Sequence, residues 1–274
     1  MSNENWLKKS TILLKNNNIT TARLDCIVLL GDVTSKNRAW LLAHPEYEIS
    51  EDKLKILETQ ILRRSKHEPL AYIRGRSEFY GREFQINNHT LEPRPETETM
   101  IELLKSLPDS FETIIDIGTG SGAIAITSKF LYPNTNVIGT DIDKNCTQTA
   151  KLNARQNNVS IEFYTGNLLT PIISNVHNFN KWIILSNLPY VPESHTINKA
   201  AMFEPKTAIF GGKDGLDYYK GMFEQIDELT NRPFYVLTES LPFQHDVLEE
   251  IAKQSGYSLY KKEDFIQTFV LFRQ

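Results

Sequence analysis

Apolar residues recur at helical spacing over the first 70 positions of the chain. Ser50 is suited to cap a helix in which Leu54, Leu57 and Ile61 share one face. Earlier stretches carry stripes of the same period, and no strand pattern appears before residue 78. We therefore predict a small N-terminal helical bundle over residues 1–75, with the apolar stripes as its own core.

The pattern changes to alternation between apolar and polar residues at 76–92. Phe79 and Phe84 flank Gly81, and Asn87-Asn88 offers a turn, so this segment is predicted to be a β-hairpin. Two prolines end the strand pattern and precede the next helical stretch. We interpret the hairpin as a linker between the bundle and a second domain over residues 93–274.

From residue 111 onward, short apolar runs alternate with stretches of helical period. Strands that alternate with helices predict an α/β fold, here a Rossmann-like parallel sheet with helices on both faces. In such sheets ligands bind at the carboxyl ends of the strands. The residues that follow the apolar runs are therefore the candidates for chemistry.

The composition is that of a folded protein, and the net charge limits the kinds of partner that it is expected to bind. The 274 residues are 40% hydrophobic, and the formal net charge of −4 disfavours binding that depends on nucleic-acid phosphates. Cys26 and Cys146 are far apart and in no metal-ligand spacing, so we expect a reduced protein without a metal site. The first residues contain an acid and no long apolar run, so we expect no signal peptide, and no stretch has about 20 apolar residues. We expect a cytoplasmic monomer with no membrane partner.

A glycine-rich turn, DIGTGSGAIAI, follows the first strand at residues 116–126. Its glycines let the backbone turn sharply and approach a ligand, although plain structural turns and the GxGxxG turns of dinucleotide-binding folds look similar. Here the spacing is GxGxG, and an acid at the strand end suits the ammonium of an amino-acid tail better than a pyrophosphate. This favours S-adenosyl-L-methionine as the cofactor. The residues of this turn predicted to bind it are Asp116, Gly118, Thr119, Gly120, Ser121 and Gly122.

Two further strand ends offer cofactor contacts. Asp141 follows the glycine turn by about twenty residues, where an acid accepts hydrogen bonds from ribose hydroxyls in both NAD and S-adenosylmethionine sites. Asp143 is expected to cap the next helix. Asn167 can accept from the adenine amine, and Leu168 can cover the ring, although an ordinary loop explains both residues equally well.

The fourth strand ends in Asn187-Leu188-Pro189-Tyr190. A strand followed by a turn is the plain alternative, since Asn and Pro are common there. Methylation of an amide or aryl-amine nitrogen needs acceptors that hold its N–H groups, because no strong base can remove an amide proton at neutral pH. The Asn187 side-chain oxygen and the Leu188 carbonyl suit that role, Pro189 stiffens the loop, and Tyr190 offers a face to a planar group. We predict Asn187, Pro189 and Tyr190 as catalytic, and all four residues as substrate-binding.

Taken in order, these motifs resemble the release factor glutamine methyltransferases over nearly the whole chain. The matching stretches include EPLAYIRGRSEFYGREF (68–84), LEPRPETE (91–98), the glycine turn, SNLPY and FEPKTAIFGGKDGLDYY (203–219). The last stretch is specific, because methyltransferases in general lack it.

The resemblance implies an S-adenosylmethionine-dependent enzyme that methylates the side-chain amide of the glutamine in the Gly-Gly-Gln motif of peptide-chain release factors. It would thereby modulate translation termination. Release factors would be the protein partner, recognised by the N-terminal bundle, and no nucleic-acid substrate is expected. By this likeness, the glycine turn, Asp141 and Asn187 contact the cofactor or its neighbourhood, and Asn187–Tyr190 contacts the glutamine.

The chain departs from the family pattern in three places. Leu188 stands where the first proline of Asn-Pro-Pro-Tyr is usual, which adds a backbone N–H and removes stiffness. Glu239 lacks the usual following glycine, and KKEDFIQTFVLF near the C-terminus lacks a glycine and an arginine. These changes leave open a weaker activity or an altered partner.

Other classes of protein, and other roles for some charged residues, remain as alternatives. An RNA or DNA adenine amino-methyltransferase shares the planar-nitrogen chemistry but needs a basic groove, which the negative charge disfavours. A dehydrogenase lacks its GxGxxG spacing, and intact motif residues disfavour a non-catalytic module. Glu96 and Glu98 either line the cofactor entrance or favour the dipole of the helix they begin. Three basic residues at a helix end are expected to face RNA, an acidic partner or solvent: Arg63, Arg64 and Lys66.

Overall fold

A computed structural model describes residues 1–108 and 110–272. The chain divides into two compact units, Met1–Gly75 with Ile197–Phe203, and Arg76–Thr196 with Glu204–Gln274. Asp109, Arg273 and Gln274, which fall in the predicted domain 93–274, lie outside the described residues.

The first unit is built from helices, which confirms the predicted bundle. They are α1 (Asn3–Asn16), α2 (Ala22–Thr34), α3 (Arg38–Ala43), α4 (Glu51–Ser65) and α5 (Leu70–Arg74). Their apolar stripes meet in one core in which Trp6, Leu14, Leu30 and Leu57 are buried. Ser50 precedes α4 as predicted, although its side chain makes no capping hydrogen bond.

A mostly buried ion pair joins α2 to α4. Asp25 Oδ2 accepts hydrogen bonds from Arg64 Nε at 2.7 Å and from the Thr21 hydroxyl at 2.9 Å. The two charged side chains are only 5% and 14% exposed. Arg63, whose side chain is 42% exposed, binds both carboxylate oxygens of Glu68. Both arginines thus form ion pairs within this unit. From the sequence, RNA, an acidic partner and solvent had all remained possible for them.

The second unit contains the predicted hairpin and the sheet. Its strands are β1 (Arg76–Phe79), β2 (Arg82–Gln85), β3 (Thr113–Ile117), β4 (Asn136–Asp141), β5 (Glu162–Thr165), β6 (Trp182–Ser186), β7 (Tyr235–Glu239), β8 (Tyr257–Glu263) and β9 (Ile266–Leu271). Its helices are α6 (Glu98–Lys105), α7 (Ala123–Leu131), α8 (Lys144–Gln156), α9 (Asp217–Asp227) and α10 (His245–Gln254). No helix within residues 1–108 and 110–272 combines the length and the apolar character that a membrane crossing requires.

Seven strands of the described chain form one sheet in the order β5-β4-β3-β6-β7-β9-β8. The first five are parallel, as predicted, while β9 pairs antiparallel with both β7 and β8. The prediction missed β8, because the polar stretch at Lys261 and Lys262 lies on an exposed edge and carries no apolar run. The predicted Rossmann-like α/β fold is confirmed, with an added antiparallel edge.

The central strands are buried on both faces, which explains their nearly continuous apolar runs. Ile114 and Ile183 pack into the core on one face of the sheet. Ile115 and Ile184 alternate with them and pack into the core on the other face. The sheet is therefore fixed from both sides, and its carboxyl edge is a rigid base for the loops that follow it.

The hairpin β1-β2 is present, but its turn differs from the predicted one. The turn residues are Tyr80 and Gly81, both with left-handed backbone at φ values of 51° and 71°, as two-residue hairpin turns require. Phe79 and Phe84 are buried. Asn87-Asn88, the other turn suggested by the sequence, lies beyond the hairpin.

Replacing Asp25 by alanine should destabilise the N-terminal unit, because the mostly buried Arg64 guanidinium then lacks its carboxylate. We expect the free energy of unfolding in urea to fall by about 3 kcal/mol. Asp32→Ala is the control: it breaks the more exposed pair with Arg74, at 24% and 25% exposure, and should cost about 1 kcal/mol. Equal losses in the two variants would contradict this ranking.

Candidate active site

A cleft opens in the second unit at the carboxyl edge of the sheet. Its walls include the glycine turn after β3, the end of β4, the loop after β6 and part of the segment 89–97. The predicted site residues that line it are Gly118, Thr119, Gly120, Ser121, Asp141, Asn167, Leu168, Asn187, Leu188 and Pro189. Three other predicted site residues, Asp116, Gly122 and Tyr190, do not line it.

The glycine turn is tied to the end of β4. The Thr140 carbonyl accepts from the backbone N–H groups of Gly118 and Thr119, each at 2.9 Å. Gly118 has a left-handed backbone with φ of 75°, and a Cβ there would lie 2.9 Å from Leu188 Cδ2. The turn thus requires glycine at 118 both for its conformation and for its contact with the loop after β6.

Asp116 lies beneath the glycine turn and holds it in place. Its Oδ2 accepts from the Thr119 hydroxyl at 2.7 Å and from Ala125 N–H, at the start of α7, at 3.1 Å. Burial raises the pKa of the Asp116 carboxyl to about 7, although these bonds lower it. Its contact with a cofactor ammonium stays a prediction.

Asp141 connects the glycine turn to the start of α8. Its Oδ2 accepts from Gly120 N–H at 2.8 Å, and its Oδ1 accepts from Asp143 N–H at 2.9 Å. Burial raises the pKa of this carboxyl. Asp143 accepts from Asn145 N–H at 2.7 Å, which confirms that it caps α8.

The loop after β6 is held by the buried hydroxyl of Tyr219, on α9. This hydroxyl donates to the Glu239 carbonyl at 2.6 Å and lies 3.2 Å from the Ser186 carbonyl. It accepts from the backbone N–H of Leu188 at 3.2 Å and from that of Glu239 at 3.3 Å. The N–H that Leu188 adds relative to proline is therefore satisfied inside the protein.

The segment 209–215 supports the same loop from the other side. Val191 N–H donates to the Ile209 carbonyl at 3.0 Å, and Gly211 N–H donates to the Val191 carbonyl at 3.0 Å. A Cβ on Gly211 would lie 2.2 Å from the Pro189 carbonyl oxygen, and one on Gly215 would lie 2.1 Å from that of Tyr190. The glycines of FGGKDG thus allow close packing of two backbones.

A buried polar cluster lies behind Asn187. Asn187 Nδ2 donates to the Thr97 hydroxyl at 3.0 Å, and the Tyr190 hydroxyl donates to Glu239 Oε1 at 3.0 Å. Glu239 is only 1% exposed. Burial raises the pKa of its carboxyl to about 7, while the neighbouring polar side chains of Thr97, Tyr190 and Asn187 lower it.

The acids at the start of α6 do not line the cleft. Glu98 Oε1 accepts from Tyr80 N–H in the hairpin turn at 2.7 Å. Arg94 does line the cleft, and its Nη2 binds Glu204 Oε2 at 2.7 Å. Glu204 belongs to the family-specific stretch 203–219, so this ion pair joins that stretch to the segment before α6.

Several residues that shape the site were not predicted from the sequence. Glu239 ends the apolar run YVLTE, and the strand-end rule that selected Asp116 and Asp141 would also have selected it. No local pattern indicates Thr97 or Tyr219, because their partners are distant in the chain.

Two known protein families match separate parts of the chain. Residues 5–75 match the family described as PrmC N-terminal domain. Residues 94–187 match the family described as ribosomal protein L11 methyltransferase (PrmA).

Curated relatives match most of the chain. A release factor glutamine methyltransferase of Enterococcus faecalis is 38% identical over 68% of this chain and 67% of its own length. That of Aliivibrio fischeri is 33% identical over 96% of this chain and 93% of its own length. This chain belongs to the release factor glutamine methyltransferase family. The family predicted from the motifs is thus confirmed, together with the methyltransferase class and S-adenosylmethionine as methyl donor.

Similarity to solved structures supports the fold and nothing beyond the fold. The hMettl16 catalytic domain in complex with MAT2A 3′UTR hairpin 1 has a TM-score of 0.57 and 17% identity. The alignment covers 84% of each chain. At this identity the likeness indicates a common methyltransferase fold and carries no information on the substrate.

Tyr219→Phe should cost less free energy of unfolding in a Leu188→Pro background than in the wild type. In the wild type the change leaves two buried N–H groups without an acceptor and should destabilise by about 2 kcal/mol. With proline at 188 one of them is absent, so the cost should fall by about 1 kcal/mol. Urea unfolding of the four proteins of this cycle measures the difference. Strictly additive changes would show that the Leu188–Tyr219 hydrogen bond contributes nothing.

Proposed function

We propose that this enzyme transfers a methyl group from S-adenosyl-L-methionine to the side-chain amide nitrogen of the glutamine in the Gly-Gly-Gln motif of peptide-chain release factors, and so modulates translation termination. The observation that carries the proposal is the braced Asn187–Tyr190 loop, which contacts the glycine turn through Leu188 and Gly118. The names of the relatives from Enterococcus faecalis and Aliivibrio fischeri support the substrate.

The residues of the cleft fit S-adenosylmethionine. Each Asp141 oxygen accepts one backbone N–H, which leaves acceptor capacity for two ribose hydroxyls. Asp116 lies beneath the cleft and does not line it, but its Oδ1 is buried without a hydrogen-bond partner in the described chain, which suits an acceptor for a cationic group. Asn167 and Leu168 are proposed to contact the adenine. The bound cofactor supplies an electrophilic methyl group on its sulfonium.

The loop after β6 is proposed to hold the glutamine amide. Since Asn187 Nδ2 is bound to Thr97, the Oδ1 atom remains to accept one N–H of the substrate. The Leu188 carbonyl accepts the other, and Tyr190 and Pro189 shape the loop around the planar group. Orientation and electrostatic stabilisation then supply the catalysis, and no strong base is needed.

The N-terminal unit is proposed to contact the release factor, because it matches a domain of this family and lies outside the catalytic fold. Release factors act on ribosomes, so we expect the enzyme to meet its substrate in the cytoplasm. We expect it to act as a monomer and to have no nucleic-acid substrate.

Asn187→Ala should lower kcat by about 100-fold or more, because an oriented acceptor for the substrate amide is lost. Affinity for S-adenosylmethionine should change only a few-fold. Transfer of label from S-adenosylmethionine to purified release factor measures the first quantity, and calorimetry measures the second. Asn136→Ala is a matched control, exposed at the amino end of β4, and should keep wild-type turnover.

The same assay tests the substrate. It includes the release factor with its Gly-Gly-Gln glutamine changed, and RNA. Label on RNA alone would overturn the proposed substrate. Label that persists on the glutamine variant would move the target to another residue, and full activity of Asn187→Ala would remove Asn187 from the mechanism.

A further inference from the structure

We propose that Gln244 is a positioning residue for the methyl transfer: acting through Tyr190, it fixes the direction in which the Leu188 carbonyl points. The inference rests on the proposed function, since it assigns a role within the same loop. Gln244 has no sequence-predicted role in the site and does not line the cleft.

The side-chain amide of Gln244 connects three segments of the second unit. Gln244 ends the short 3-10 turn that precedes α10, and it is only 2% exposed. Its Nε2 donates to the Tyr190 carbonyl and to the Asp214 carbonyl, each at 2.8 Å. Its Oε1 accepts from Leu241 N–H at 2.9 Å. One amide group thus joins the loop after β6, the segment 209–215 and the connection from β7 to α10.

The partners of this amide determine its orientation. The two carbonyls only accept and the Leu241 N–H only donates, so the NH₂ group has to face the carbonyls. A carboxylate has the same shape but no hydrogen to donate. The space is also narrow, because a Cβ on Gly215 would lie 2.4 Å from Gln244 Nε2. Position 244 therefore requires a side chain with the length of glutamine and with two N–H donors at its end.

Gln244 and Tyr219 restrain the loop after β6 at two points. The Tyr219 hydroxyl accepts from Leu188 N–H at 3.2 Å, on the amino side of the Leu188 carbonyl. Gln244 holds the Tyr190 carbonyl on the other side. Pro189 lies between them, and its ring fixes its own φ. The Leu188 carbonyl, one of the two proposed acceptors for the substrate amide, thus has little freedom to rotate while both hydrogen bonds persist.

The Tyr190 side chain is held by the same connection between β7 and α10. Its hydroxyl donates to Glu239 Oε1 at 3.0 Å, and Glu239 is the last residue of β7. Without the bond from Gln244 the Tyr190 ring would stay attached, but its backbone would be free to move. The defect should therefore lie in the orientation of the substrate amide and not in binding. A misplacement of about 1 Å can cost about 100-fold in rate.

Gln244→Glu tests the inference, because it keeps the side-chain shape and replaces both donors by an acceptor. In label transfer to release factor, kcat should fall about 10- to 100-fold, while the KM for release factor and the affinity for S-adenosylmethionine change by less than about threefold. Gln254→Glu adds the same charge at an exposed position at the end of α10 and should keep wild-type kinetics.

Tyr257→Phe is the control for a loss of stability alone. The buried Tyr257 hydroxyl donates to the Pro233 carbonyl at 2.8 Å, just before β7 and at the opposite edge of the sheet from the cleft. This variant also leaves a buried carbonyl without its donor, so its midpoint of urea unfolding should fall. Its kcat should remain that of the wild type.

Gln244→Met is a second variant, which decides the matter if Gln244→Glu does not fold. It keeps a similar length, adds no charge and has no N–H donor, so kcat should fall to a similar extent with KM unchanged. Wild-type kcat in either variant, a rise in KM without a change in kcat, or an equal loss of kcat in Tyr257→Phe would overturn the inference. A wild-type enzyme that transfers no label to release factor would instead overturn the proposed function.

Discussion

Many buried polar groups at the carboxyl edge of the central strands depend on partners inside the protein, because water does not reach them. The Tyr219 hydroxyl meets this demand for the ends of both β6 and β7. Asp116 does the same for the start of α7, and Glu239 does so for Tyr190. The positions of the loops that form the cleft are consequences of these bonds. These bonds attach the loops of the cleft to the sheet beneath them.

The glycine turn and the Asn187–Tyr190 loop are in direct contact. The Leu188 side chain fills the space that a Cβ at Gly118 would occupy, and the glycines at 211 and 215 bring a second backbone against the far side of the loop. A reaction that depends on orientation would gain from this arrangement, since the segments proposed to hold the methyl donor and the acceptor are in direct contact. The stretch 203–219 thus supports the Asn187–Tyr190 loop through close backbone packing.

The sequence predicted the features that local patterns record. Apolar runs located β3, β4 and β6, and the rule that ligands bind at strand ends selected the residues around Asp141 and Asn187. The edge strand β8 was missed because exposed polar residues leave no such run. Thr97 and Tyr219 were missed because their roles depend on partners 90 and 31 positions away. The partner of Arg64 could not be predicted, because the sequence of a charged helix end is the same whether its side chains face solvent or a buried acid such as Asp25.

Leucine in place of proline at position 188 changes the origin of the loop's rigidity. A proline restricts the backbone in every state of the chain, so its benefit comes largely from a lower entropy of the unfolded protein. Here the restraint is a hydrogen bond to Tyr219 that exists only in the folded state. Rigidity of this kind is enthalpic, and it decreases as heat loosens the contact between α9 and the loop. A proline at the same position would keep its restraint when the folded state is heated.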